Sequence, residues 1–288
     1  MDTIKNSKSL SILVITVIYI LASVLGVFIY VKLPLPFWAS LLLADVASTV
    51  FVFIFSLIFK NASVYDPYWS VQPVIIAFAF AMFSRLTLAS VLVLISVTYW
   101  GIRLTGNWVH TFTGMEYQDW RYTQLKETTG KLYPFVNLAG IHMFPTLVVF
   151  MCVLPAVYVM QEAPAFSPLC LIGFCISIGA VALQLVADTQ MHIYRRDRKT
   201  PFIETGLWKY ARHPNYLGEI MMWWGVAIFS VCLLGFRWYL ILGAAVNNLM
   251  FLFISIPMAD KRQAKKPGYE EYRKGKNCLI PIRFRKAD

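Results

Sequence analysis

The sequence predicts an all-α, polytopic membrane bundle, on three observations. Of its 288 residues 58% are apolar, only 14% are charged, and the apolar residues gather into uncharged runs of bilayer-spanning length. A helix needs roughly 17 to 25 such residues to cross a hydrocarbon core. The runs predict spans at Leu10–Val31, Phe37–Phe59, Val71–Phe83, Leu88–Trp108, Leu138–Met160, Pro168–Ala187, Leu217–Leu234 and Trp238–Met258. The third is short and begins close to Pro73, which reads as a half-span or a tilted one, so the expected total is seven or eight.

Charge placement fixes the expected topology, because cytoplasmic loops collect Lys and Arg. With eight spans and the N-terminus inside, the outer loops hold only Lys32, Arg85 and Arg237. Lys5, Lys8, Lys60, the Arg103–Lys131 segment, the Arg195–Arg212 loop and the tail from Lys261 all fall inside. Both termini and the polar chemistry are therefore expected on the cytoplasmic face of a multi-pass protein. The net charge of +11 reads as topology plus attraction to anionic lipid, about 1 kcal/mol per surface cation, which leaves nucleic acid without a role. Cys152, Cys170, Cys175 and Cys232 lie in spans without CxxC spacing and read as small apolar fillers. The first apolar run is too long for a signal peptide and lacks a small-residue cleavage site, so it reads as a retained span. Without internal repeats or a low-complexity linker, residues 1–288 read as one membrane domain of unspecified oligomeric state.

The first long polar segment, Tyr99–Leu125, is dense in Trp, Tyr and Arg. Trp108, Tyr117 and Trp120 suit an interfacial belt. Arg103 lies about one turn inside the end of a span, where a guanidinium must snorkel or meet an anion. In the second, ADTQMHIYRRDRKTPFIETGLWKYARHPNYLGE, a continuing helix would align Asp188, His192, Arg195 and Arg196 at i, i+4, i+7 and i+8. Guanidinium forks there, with Arg198 and Arg212, suit phosphate oxygens. Thr205 and Gly206 punctuate the loop. Pro214 predicts a helix start near Asn215, whose free N–H groups would favour an anion beside Arg212 and His213. The tail, ADKRQAKKPGYEEYRKGKNCLIPIRF, extends the last helix with Asp260 and Arg262 at its mouth and turns at Pro267 and Gly268. Its lysines suit lipid headgroups, whereas Asp260 suits a hydroxyl.

Absences narrow the chemistry. No GxGxxG follows a strand, and neither a P-loop nor an HExxH motif is present. The four histidines are too scattered for a metal site, and His142 reads as a hydrogen-bonded interior residue. Asp45, at mid-membrane, costs on the order of 3 kcal/mol on insertion scales, which predicts that it faces the bundle interior and pairs with a polar neighbour.

ARHPNYLGE (Ala211–Glu219), with the acidic tail position Asp260, then PGYEEY and LIP, resembles the membrane steroid 5-alpha-reductase and sterol reductase superfamily. The likeness runs over residues 66–288 and is weakest in the two-helix segment 1–60. Isoprenylcysteine and phospholipid methyltransferases share a similar RHPxY. DPYWSVQP (Asp66–Pro73) and WGIRL (Trp100–Leu104) resemble instead the bacterial reductase-like branch. Trp69 and Gln72 match the family's W-x-x-Q, but Pro73 stands where the reductases carry Glu. Trp100 stands where they carry Tyr.

The resemblance implies NADPH at Arg103, Asp188, His192, Arg195, Arg196, Arg212, His213, Asn215, Tyr216, Glu219, Asp260 and Arg262. It also implies a lipid-soluble substrate at Trp69 and Trp100, with Gln72 at the reacting end, reduced at a C=C bond conjugated to a carbonyl. Asp66, Tyr68 and Tyr99 are the candidate donors to the developing oxyanion. Two other readings stand beside this one: a methyltransferase using S-adenosylmethionine on a lipid or prenylated thiol, and a noncatalytic lipid-binding protein that kept the pocket and lost the acid.

Overall fold

The computed structural model describes residues 2–282. Arg283 and Phe284 of the predicted basic tail lie outside them. Among the described residues the chain is helical throughout, with one isolated bridge between Ala211 and Asn277 in place of any strand. A short helix α1 (Asp2–Asn6) precedes α2 (Lys8–Lys32), which Ser7 caps by accepting from Leu10 N. The order continues α3 (Phe37–Ile58), α4 (Tyr68–Phe83), α5 (Leu88–Thr111), α6 (Trp120–Thr129) and α7 (Tyr133–Val136). After these come α8 (Phe144–Glu162), α9 (Cys170–Arg196), α10 (Pro214–Leu234), α11 (Trp238–Met250), α12 (Ile256–Gln263) and α13 (Tyr269–Lys274). Short π-helical turns join α7 to α8 and α11 to α12, so each pair forms one span.

Seven of these helical stretches are long and apolar enough to cross a membrane. The third predicted run forms α4, a shorter helix whose 16 residues reach about 24 Å. Its start differs from the sequence reading. The helix begins at Tyr68, and Pro73 lies within it. A proline in the second turn removes one ladder donor, and the helix continues through it.

Contacts at the two ends of the bundle show the alternation. At one end Asn61 donates to Met115 O at 2.6 Å, Glu116 N donates to Lys5 O at 3.2 Å, Arg103 pairs with Asp188, and Arg212 pairs with Asp260. At the other, Tyr30 and Phe37 meet Phe80, Phe37 and Tyr239 meet Tyr158, and Arg237 pairs with Glu162. The long polar segments share the first end, called here the polar end. Between the ends, Ile20, Val24, Ile95 and Phe253 are exposed around the belt, as expected of side chains whose solvent is hydrocarbon.

The α9–α10 pair positions the site. A Cβ at Gly173 would lie 2.3 Å from Phe229 N, and one at Gly225 would lie 2.3 Å from Ser177 Oγ. The two backbones therefore touch where glycine removes the side chain, the small-residue packing by which membrane helices associate. Closer to the polar end, the same approach brings Gln184 of α9 against Glu219 of α10. His142 matches its expectation as an interior residue, its Nδ1 lying 3.0 Å from Asn137 O.

Candidate active site

α5, α9 and α10 converge at the polar end on a buried polar relay. Glu219, 4% exposed, accepts from the indoles of Trp100 at 2.9 and 3.0 Å and Trp223 at 3.1 Å, and from Gln184 Nε2 at 2.8 Å. The other end of the Gln184 amide accepts from Arg103 at 2.9 Å. Arg103 then pairs with Asp188, which also accepts from Asn215 Nδ2 at 3.3 Å. A carboxylate and a guanidinium buried in one bundle need such partners, because each desolvated charge left alone is costly.

A second cluster is built by chain return. Arg212 N and His213 N donate to Asn277 O and Cys278 O, both at 3.0 Å, and Asn277 N donates to Tyr210 O at 2.9 Å. The tail thus holds the ARHPNY segment like a short strand. Gly268, at φ 80°, makes the turn that permits the return. Asp260 accepts from Arg212 at 3.1 Å, lies 2.8 Å from His213 Nε2 and accepts from the Tyr269 hydroxyl at 2.5 Å. Tyr216 stacks on His213 with ring centroids 5.1 Å apart, near Asp188, Asp260, Asp119 and Arg121. It therefore bridges the two clusters.

Above them lies a cationic rim. Burial first, then the charges of Arg198, Arg262 and Arg195, hold the Lys266 ammonium below the usual lysine range. Among the described residues no carboxylate forms an ion pair with any of these four. Arg262 sits 4.3 Å over the Trp120 ring. Below the rim, Arg103 Nε, Arg212 Nε and Asn215 Oδ1 are buried without hydrogen-bond partners.

Several sequence-expected residues lie elsewhere. Arg196 points into solvent and pairs with Asp197, because eight residues along a helix amount to about 80° of rotation away from Asp188. His192 meets Asn107 at 2.8 Å and its ring lies 4.6 Å from that of His110. Trp100 is fully buried between Trp69 and Trp223, with its indole committed to Glu219. Tyr99 packs half-buried on the apolar core. Asp66 accepts from the Tyr122 hydroxyl at 2.6 Å at the polar end, and burial pushes its carboxyl up to about 6 against the opposing pull of Tyr122 and Arg121. Tyr68 and Gln72 line a separate crevice deeper in the bundle, with Asp45.

Sequence reasoning passed over Gln184, Trp223 and Tyr122. Gln184 had a readable signal: an amide inside an apolar span, one turn before Asp188. Trp223 stands one turn after Glu219, where an indole N–H can reach back to a carboxylate.

A 3-oxo-5-alpha-steroid 4-dehydrogenase 1 from Macaca fascicularis is 31% identical over 41% of this chain and 43% of its own length, and the Homo sapiens protein of the same name is 30% identical over the same shares. An uncharacterized protein of Schizosaccharomyces pombe is 26% identical over 68% of this chain. The chain spans 64% of the yeast protein's length and less than half of the two dehydrogenases. No solved structure matches. Residues 52–277 match the family described as "Protein of unknown function (DUF1295)", and with most of its length inside that match this integral membrane protein belongs to the DUF1295 family.

Proposed function

We propose that this protein is a membrane-embedded oxidoreductase that uses NADPH to reduce a C=C bond conjugated to a carbonyl in a steroid-like lipid, with its polar end in the cytoplasm. The observation that carries the reading is the rim of four cations without carboxylate partners, set over orphaned buried atoms of Arg103, Arg212 and Asn215. Two N–H donors, one amide oxygen and a rim of cations fit a phosphorylated dinucleotide in charge and in hydrogen-bonding sense. The local likeness to proteins named 3-oxo-5-alpha-steroid 4-dehydrogenase 1 supports the substrate class.

Arg195, Arg198, Arg262 and Lys266 would bind the phosphates, with Arg212 and Arg103 beneath them. Asp188 and Glu219 fix Arg103 and Gln184, so the donors are oriented before a ligand arrives, and little reorganisation remains at the moment of reaction. The reduced nicotinamide supplies hydride. The chain's part is to hold it beside a lipid ring, keep water out and hydrogen-bond the substrate oxygen. The bundle suits that task because one end faces an aqueous nucleotide and its flanks face the lipid that dissolves the substrate.

The test is stabilisation of the purified protein in mild detergent by NADPH, NADP+, NADH and S-adenosylmethionine. A ligand at a hundred times its Kd adds about 2.7 kcal/mol. NADPH is expected to stabilise most, and Arg198→Ala with Arg262→Ala to weaken it at least tenfold. Stabilisation by S-adenosylmethionine alone would replace the reductase by a methyltransferase.

A further inference from the structure

A cleft of about 340 Å³ opens at the polar end between the N-terminal helix α1 and the loop from α5 to α6, lined by Lys5, Asn6, Thr113, Gly114, Glu116 and Tyr117. Backbone contacts pin its walls together. Glu116 N donates to Lys5 O at 3.2 Å, Ser11 Oγ donates to Ile4 O at 2.8 Å, and Met115 N donates to Ser11 Oγ at 3.1 Å. Gly114, at φ 143°, permits this close approach, since a Cβ there would lie 2.7 Å from Lys5 O. The volume stands at the lower end of small-molecule clefts, roughly 300–1,000 Å³, which is room for a headgroup and too little for a whole lipid.

Two opposite charges line this cleft without meeting. Among the described residues neither Lys5 nor Glu116 forms an ion pair, with the other or with any third group. Asn6 directly precedes Ser7, the N-cap of α2, so the positive end of a 25-residue helix adds to the Lys5 charge. The cleft also stands at the foot of a lipid-facing helix. Leu10 and Leu13, in the first two turns of α2, are 39% and 58% exposed, so a headgroup held here has hydrocarbon beside it for its chains.

We propose that this cleft seats the headgroup of a bilayer phosphoethanolamine lipid, its phosphate on Lys5 and its ammonium on Glu116. A zwitterion satisfies a cation and an anion set apart across one opening, whereas an anionic headgroup would meet Glu116 and a cationic one Lys5. The other groups select among zwitterions. Glu116, Thr113 and Tyr117 offer oxygen acceptors to the N–H donors of a primary ammonium, while a trimethylammonium needs an aromatic cage and finds the single ring of Tyr117. None of these residues belongs to the buried relay, the Asp260 cluster or the cationic rim, so the site is a second one and stands independently of the reductase reading.

The test offers purified protein in mild detergent equal amounts of phosphatidylethanolamine and phosphatidylcholine with the same acyl chains, and counts the retained lipid by native mass spectrometry. The parent is expected to retain the ethanolamine lipid at least fivefold over the choline lipid. Lys5→Ala removes the phosphate contact common to both and is expected to lower retention of both at least fivefold. Glu116→Ala removes the ammonium contact alone and is expected to abolish the preference. Both side chains stand outside the ion pairs of the fold, so both variants are expected to melt with the parent. Equal retention of the two lipids by the parent, a preference that survives Glu116→Ala, or unchanged retention in Lys5→Ala would each overturn the proposal. Water-soluble phosphoethanolamine at the same concentration is expected to leave the lipid bound; displacement by it would make the free molecule the ligand and overturn the lipid assignment.

Discussion

Replacing Gln184 by Leu should uncouple the two buried charges that it joins. The side chain is fully buried, donates to Glu219 Oε2 at 2.8 Å and accepts from Arg103 at 2.9 Å. Leucine fills a similar volume and makes neither bond. Hydrogen bonds between membrane helices average about 0.6 kcal/mol and reach about 1.7, whereas bonds to charged groups in proteins contribute about 1.5–3 kcal/mol. Both partners here are charged and desolvated, so two bonds place the loss near 3 kcal/mol. The remaining bonds of Glu219 to Trp100 and Trp223, and of Arg103 to Asp188, keep the loss from being larger. Reversible unfolding in mixed micelles, read by tryptophan emission, measures it. Gln184→Glu is the informative partner: it can still face Arg103 but sets a second carboxylate against Glu219, and should be no more stable than Gln184→Leu. A loss below about 1 kcal/mol for Gln184→Leu would refute the view that this amide bridges the site.

Asp66 should make stability pH-dependent. Its carboxyl is raised to about 6 by burial, with Tyr122, Arg121 and Asp119 of the α6 segment and Tyr19 and Tyr65 as its titratable or charged neighbours. A raised carboxyl contributes stability that is fully present below its unfolded pKa and is lost as pH rises through about 6. Because the side chain is only half-buried, lowering pH from about 7 to about 5 should add about 1 kcal/mol, an increment that Asp66→Asn should abolish; equal slopes for parent and variant would contradict this. Among the rim cations, Arg198→Ala with Arg262→Ala should weaken NADPH more than NADH, since a monophosphate is the difference between them, and equal loss for both would remove the rim from the phosphate site.

Much of the bundle was legible because hydropathy is a long-range average: seven of the eight apolar runs lie in helices long and apolar enough to cross a membrane, and the short third run lies in α4. Pro73 misplaced one boundary, since the propensity of one residue outweighed the packing that carries α4 through it. In the site, the charges and the ARHPNY residues could be read, and the neutral partners inside the spans could not. Arg103, Asp188, Asn215 and Asp260 stood out against apolar surroundings, and the structure brings them together in two adjoining clusters. Gln184 and Trp223 add nothing to a charge pattern, and their roles follow from the close approach of α9 and α10 at Gly173 and Gly225, a tertiary fact. Arg196 was misplaced because i+8 drifts off the helix face. Asp45 read as an inward-facing residue, and the structure buries it, at a gap that Tyr68 and Gln72 of α4 also line.

The most direct test of the central claim follows the hydrogen itself. Purified protein in liposomes would be supplied with cholestenone and NADPH deuterated at the transferable nicotinamide position, and the lipid analysed by mass spectrometry. The account predicts a saturated ketone carrying one deuterium at the carbon beta to the carbonyl. Unchanged lipid in protein that demonstrably binds both ligands, or a methylated lipid when S-adenosylmethionine is offered instead, would contradict it.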